Sequence, residues 1–357
     1  MRLGFILSLC FLWFQSVHAQ KDSTRNTTLK VLPTAYYTPE TKIAVEGFAY
    51  LSFYSKKAER ASNVRLFLTA TQNRQLSLDL PWQIFTAGES FRISGKVSAR
   101  KFPEYFYGIG NNTQEKLREL YSFNSLGITN RILKQSWGNN YIGAAIEGML
   151  LNTKLPLSNF HMISDTMDIV GAHGYGVAGI GPSFIHDSRD VLLCPRKGRF
   201  VEVTALFNVG MADGKSIKYS KLIFDYREYF KLKYQTVFAY QIAAQSTIGS
   251  VPYRELPALG GPLMHRGFYF GRFRDKHLVF SQAEIRKHLF WRIGAVAFGS
   301  VGRVCNDDDL LAWRGFHPAG GGGIRFKLSA KDEANIRFDF AVTPDSKGFY
   351  VYFAEAF

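Results

Sequence analysis

Hydrophobic and polar residues alternate along most of this chain. From Phe91 it reads FRISGKVSAR, with Phe91, Ile93, Val97 and Ala99 on one face and Arg92, Ser94, Lys96, Ser98 and Arg100 on the other. A period of two over such a length is a strand with one wet face. The pattern returns in FVEVTALF, where Glu202 and Thr204 oppose Val201, Val203 and Phe207, and in GGIRFKL, where Arg325 and Lys327 oppose Ile324, Phe326 and Leu328. In ANIRFDFAV, Asn335, Arg337 and Asp339 oppose Ile336, Phe338 and Phe340. About sixteen such segments are predicted, near residues 29–38, 42–55, 62–72, 75–86, 89–100, 117–131, 138–152, 173–186, 197–211, 216–229, 234–246, 277–287, 290–302, 316–328, 332–342 and 347–357. Pro81, inside the fourth, is unfavourable in a central strand.

Long alternating strands with no apolar helix between them are the pattern of a transmembrane β-barrel, whereas a soluble β-sandwich shows shorter strands and a less aromatic outer face. The last segment, GFYVYFAEAF, sets Phe349, Val351 and Phe353 on one face and ends on Phe357. A terminal aromatic on an amphipathic strand fits a barrel whose last strand meets its first, leaving no edge. The predicted fold class is all-β: a 16-stranded antiparallel transmembrane β-barrel with an inward-folded outer loop.

The amino terminus, MRLGFILSLCFLWFQSVHAQ, has one Arg, an apolar run from Leu3 to Phe14, and small residues around Ala19. It predicts a signal peptide over 1–19; a membrane anchor is the alternative, but the run is too short to span. Cys10 lies inside the run and not just after the small residues, which disfavours a lipoprotein site. The expected organisation is signal peptide 1–19, short periplasmic segment 20–28, and barrel 29–357 in the bacterial outer membrane. After Ala19 no stretch approaches the ~18 apolar residues of a membrane helix.

The formal charge is +15, and +14 once Arg2 leaves with the signal. Such an excess suits nucleic acid or a membrane surface; export and the scattering of Lys and Arg favour outer-membrane lipid, with no nucleic acid partner. Aromatics at 15% suit interfacial girdles. An even strand number puts both termini in the periplasm. Cys194 then falls on the periplasmic side and Cys305 on the outer side, so a disulfide between them is not expected.

One stretch breaks the alternation. MHRGFYFGRFRDK, Met264 to Lys276, interleaves four cations with four aromatic rings in an outward loop running from about Thr247. Water suits the cations but not Phe268, Phe270 and Phe273 in close succession; folded into the lumen, the cations need carboxylates. On the twelfth segment Gln282, Glu284 and Arg286 share the wet face, so Arg266 is expected to pair with Glu284. The alternative is that Glu284 pairs with Arg286 or Arg325 on the wall.

At these residues the chain resembles a known family. PYRELPALGGPLMHRGF, Pro252 to Phe268, is similar to the inward-folded sixth outer loop of the BamA/TamA superfamily of outer-membrane assembly factors, whose hallmark is Arg-Gly-Phe after a small apolar residue. Here that residue is His265. GRFRDKHLVFSQAEIR, Gly271 to Arg286, resembles the surface-antigen branch, as do the turn motifs FPEYFYGIGN and DSRDVLLCPRKGRF. The resemblance implies a loop lock formed by Arg266, Gly267, Phe268 and Glu284, and a C-terminal strand signal at Phe353 and Phe357. It implies a second acid on the thirteenth segment, where this chain has Ser300, which would weaken the ionic network. Only Gln20 to Thr28 precede the first strand, too few for a polypeptide-transport-associated (POTRA) domain. The chain thus reads as a short form that borrows such domains, works differently, or lacks that task.

Two functions follow as expectations. One is insertion or translocation of proteins through a weakly sealed seam between first and last strands, with periplasmic or other outer-membrane assembly proteins as partners. The other is a passive pore or structural barrel that has lost the assembly role, its lumen favouring anions through Arg92, Lys96, Arg325, Lys327 and Arg337. An enzyme is not expected: there is no G-x-S-x-G and no histidine pair at metal-ligand spacing. No cofactor or metal is expected either, since Asp307 to Asp309 lack the glycine and distal glutamate of a calcium loop and Gly320 to Gly323 lack the Lys-Ser/Thr of a phosphate loop.

Overall fold

In a computed structural model, residues 27–38, 42–154, 169–327 and 335–357 are described; the predicted signal peptide and nearly all of the 20–28 segment lie outside them. The strands are β1 (Thr28–Thr38), β2 (Lys42–Phe53), β3 (Ser62–Thr71), β4 (Leu76–Phe85), β5 (Phe91–Phe106), β6 (Glu119–Trp137), β7 (Asn140–Lys154), β8 (Gly174–Asp187) and β9 (Gly198–Ala212). They continue as β10 (Lys215–Lys231), β11 (Thr236–Gly249), β12 (Ala258–Leu259), β13 (Phe273–Arg274), β14 (His277–Phe290), β15 (Ile293–Cys305), β16 (His317–Lys327), β17 (Asn335–Val342) and β18 (Lys347–Phe353). All but β12 and β13 form one 16-stranded antiparallel sheet in chain order. β12 and β13 pair with each other inside the loop between β11 and β14.

Alternation decides which face each residue takes. On β6, Leu126, Ile128 and Ile132 are exposed outward, while Tyr121, Phe123 and Leu133 are buried inward. Exposed Trp137, Tyr234, Phe290 and Trp291 gather at or beside periplasmic strand ends, the place of an aromatic girdle. Pro81 sits within β4, and there the β3 to β4 ladder skips from Val64 opposite Trp82 to Phe67 opposite Asp79. Pro has no N–H to donate, so the gap falls where the chemistry requires it.

The seam differs from the expected closed cylinder. β1 and β18 lie side by side, but no ladder joins them among the described residues. β18 ends at Phe353, whose ring packs 4.6 Å from Phe48 and 6.1 Å from Tyr50, both on β2. The expected strand to residue 357 stops there because Ala354 takes a left-handed turn (φ 68°), its N–H donating to Asn335. The tail then enters the periplasmic end of the lumen. Phe357 is buried beside Tyr229 at 6.2 Å, with Ala239 and Ala356 around it.

Cys194 lies in the periplasmic turn between β8 and β9, and Cys305 at the outer end of β15; both are free.

Candidate functional site: the lumenal loop and its charge network

The long outer loop between β11 and β14 crosses the lumen and is held at both sides. Near its start, Arg254 pairs with Glu104, donates to the Tyr121 hydroxyl at 2.6 Å, and stacks 3.9 Å from the Phe123 ring. Glu255 accepts from Lys221 at 2.8 Å and from the Tyr175 hydroxyl at 3.0 Å. Burial opposes charge on Glu255, but Lys221 and Tyr175 hold its carboxyl below the usual range. Further along, Arg272 donates to Thr113 at 2.7 and 2.8 Å and Arg274 to the Tyr253 carbonyl at 3.1 Å. Two of the cations that made the segment look foreign to a strand, Arg272 and Arg274, are thus attachments of the loop, while Lys276 pairs with Asp307 in the outer loop after β15.

The far side holds Met264 to Phe268. Gly267 has φ 107°, and a Cβ there would lie 2.6 Å from Thr343 Cγ2, so both backbone and space call for glycine. Its N–H donates to the Tyr350 hydroxyl at 3.0 Å and its carbonyl accepts from Ser346 at 2.6 Å. Phe268 is buried 5.5 Å from the Phe273 ring. Arg266 is fully buried: it pairs with Glu284, donates to Asp339 at 2.7 Å, and lies 3.6 Å above the Phe298 ring.

Both carboxylates are shared. Glu284 also accepts from Arg286 at 2.7 Å, so the expected pair and its alternative coexist on one side chain. Asp339 also accepts from Arg325 at 2.6 Å and Arg337 at 3.1 Å. Arg325 runs on to Glu355 at 2.7 Å, and Arg286 to an oxygen of Phe357 at 3.1 Å. Gly323 leaves room for this junction: a Cβ would sit 2.3 Å from Asp339 Oδ1. The network therefore joins the loop tip to the end of the chain.

The second acid does not come from the strand expected. Ser300 on β15 faces His265 Nδ1 at 3.1 Å, and the second carboxylate is Asp339, two strands further on. Ser300 therefore does not leave Arg266 with a single acid. His265, with φ 61°, stacks on Phe268 at 4.7 Å. Burial pulls its imidazole down to about 3, so it sits neutral in the apolar cluster.

A sequence profile of the Omp85 superfamily domain matches residues 60–352. The chain belongs to the Omp85 superfamily. No curated protein sequence matches it. Among solved structures it resembles BamA from Haemophilus ducreyi lacking POTRA domains 1–3, at 11% identity and TM-score 0.57, covering 92% of this chain and 70% of that one. It also resembles CdiB from Acinetobacter baumannii, at 9% identity and TM-score 0.53, covering 91% of this chain and 65% of that one, just under two thirds. With the family, these likenesses make the fold a BamA-type barrel of the bacterial outer membrane.

Within this Omp85 barrel the lumenal cations differ from the basic lining expected of an anion pore. Arg92 is paired with Asp187 at 2.7 Å, Arg325 and Arg337 belong to the loop network, and Lys96 stands 3.6 Å from Asp79. Among the described residues no group of three or more His, Cys, Asp or Glu has a metal-binding arrangement.

Proposed function

We propose that this barrel contributes to inserting or translocating proteins at the outer membrane, together with periplasmic or outer-membrane assembly proteins. The observation that carries the reading is the seam, where the edges of β1 and β18 stand together and no ladder joins them among the described residues. Unpaired N–H and C=O groups on an edge are a template for an incoming strand. Arg266, Gly267, Phe268 and Glu284 act as structural keystones and not as catalysts: they fix the loop and, through shared carboxylates, the last hairpin. Phe353 and Phe357 serve as the strand signal before folding and as seam and tail contacts afterwards. The anion pore has less to rest on where Arg92, Arg325 and Arg337 are already paired, leaving Lys96 and Lys327.

The test has two arms. A photo-crosslinking residue at Val31, exposed on β1, should capture client chains in cells. Depletion followed by outer-membrane proteomics should lower specific membrane or surface proteins. An unchanged protein profile, with no adduct at β1, would leave a structural barrel instead.

A further inference from the structure

On the lipid-facing side of β10 stands a carboxylate. The strand turns Leu222, Phe224 and Phe230 outward, and Glu228 shares their parity, while Asp225, Arg227 and Tyr229 face the lumen. Beside it the outward face of β9 is apolar from Val201 to Met211, close to the ~9–11 residues a membrane strand needs, and Arg199 follows directly at the periplasmic end. Arg199, Glu228 and Tyr240 lie in one row across β9, β10 and β11. That row therefore lies where acyl chains give way to headgroups in the periplasmic leaflet.

An ionised group on a lipid face is costly unless something holds it. Glu228 Oε2 accepts from the Tyr226 hydroxyl at 2.6 Å and from the Tyr240 hydroxyl at 2.8 Å. Its Oε1 stands 3.9 Å from the Arg199 guanidinium, too far for a hydrogen bond, and the Arg199 side chain is 55% exposed. Around the pair, the rings of Tyr226, Phe230, Phe238 and Tyr240 form a wall with neighbouring centroids 5.7–6.2 Å apart. We infer that this row is a headgroup site for an ethanolamine phospholipid. The ammonium donates to Glu228 Oε1 beside the Tyr240 and Phe230 rings, and the phosphate, an ethylene spacer away, meets the Arg199 guanidinium. Lipid is the occupant because the row shares the outward face and the level of the membrane boundary. Choline fits less well, since its quaternary nitrogen has no N–H to donate, and a glycerol headgroup brings no cation to Glu228.

The barrel purified from outer membranes and reconstituted with equal parts of phosphatidylethanolamine, phosphatidylcholine and phosphatidylglycerol of matched acyl chains tests this, with native mass spectrometry reading the lipid retained after mild detergent release. Wild type should keep ethanolamine over choline lipid by about two- to fivefold, the range an exposed ion pair supports, and Glu228→Gln should bring the ratio to one. Arg199→Gln should lower retention of all three lipids and leave the ethanolamine-to-choline ratio standing. Where Glu228→Gln does not fold, Glu228→Asp, which withdraws the charge without removing it, should also lower the ratio. No preference in the wild type would overturn the inference whatever the variants do. A preference that survives the Glu228 variants would place recognition elsewhere on the wall, and one confined to phosphatidylglycerol would make Arg199 a plain anion site; either overturns it equally.

Discussion

Replacing Arg266 with Ala removes the side chain that bridges Glu284 on β14 directly to Asp339 on β17 among the described residues. Breaking a buried ion pair from one side costs about 3–5 kcal/mol when the abandoned charge has no other partner. Here both carboxylates keep partners, Glu284 its Arg286 and Asp339 its Arg325 and Arg337. Loss of the cation–π contact with Phe298, worth about 2 kcal/mol when desolvated, pulls the other way. The expected cost is therefore about 3 kcal/mol, at the low end of the range. Arg266→Lys should recover little, because a point ammonium cannot fork between carboxylates on separate strands as a guanidinium does. The assay is the temperature at which the folded band is lost on unboiled gels, with protease cleavage of the loop between Thr247 and Lys276. Unchanged melting with unchanged protection would refute the keystone reading, and full rescue by Lys would refute the geometric part of it.

Gly267→Ala should cost about 1–3 kcal/mol through left-handed strain, and more from the Thr343 clash; a melting point within error of wild type would contradict the required glycine. His265 titrates with depressed affinity in the fold, from an ordinary 6.5 to about 3, so the unfolded chain binds the extra proton between those values. Its contribution is full above about pH 6.5 and declines by about 1.4 kcal/mol per pH unit as acid is added. His265→Asn should flatten the pH dependence of melting in that window, and an unaltered profile would exclude His265 as its source. Burial, with Glu355 nearby, pushes the Cys194 thiol up to about 12, so Cys194 should label slowly. In a Cys305→Ser background, Glu355→Ala should free the tail and speed maleimide labelling of Cys194; equal rates would mean the tail is held by other contacts.

The strands were legible because lipid outside and water or charge inside impose a two-residue period, and the pairing of Arg266 with Glu284 followed from the wet face of one segment. Asp339 was already on the wet face of ANIRFDFAV, yet its role was hidden. Sequence spacing does not show that inward curvature brings β14 and β17 to one arginine, and the family pattern pointed to the Ser300 position instead. The inward turn of the tail did have a signal. Glu355 shares parity with Phe349, Val351 and Phe353, so a strand continued through it would put a carboxylate into lipid, a costly placement. The strand had to end before it.

Among the described residues the last hairpin is short, with eight residues in β17 and seven in β18, against eleven in β1. A short hairpin at a sheet edge is poorly held by its ladder alone. In this barrel it is gripped from within: Asp339 and Arg337 on β17 and Tyr350 on β18 bind the loop, and Glu355 in the tail binds Arg325 on β16, which shares Asp339 with the loop's Arg266. That arrangement separates two demands that a closed β-barrel meets with one ladder. The hairpin stays in place through buried charge on its inner face, and among the described residues no ladder joins its outer edge to β1. A seam that relied on β1 to hold β18 could not open to a client strand without releasing the hairpin; one held by the loop network could.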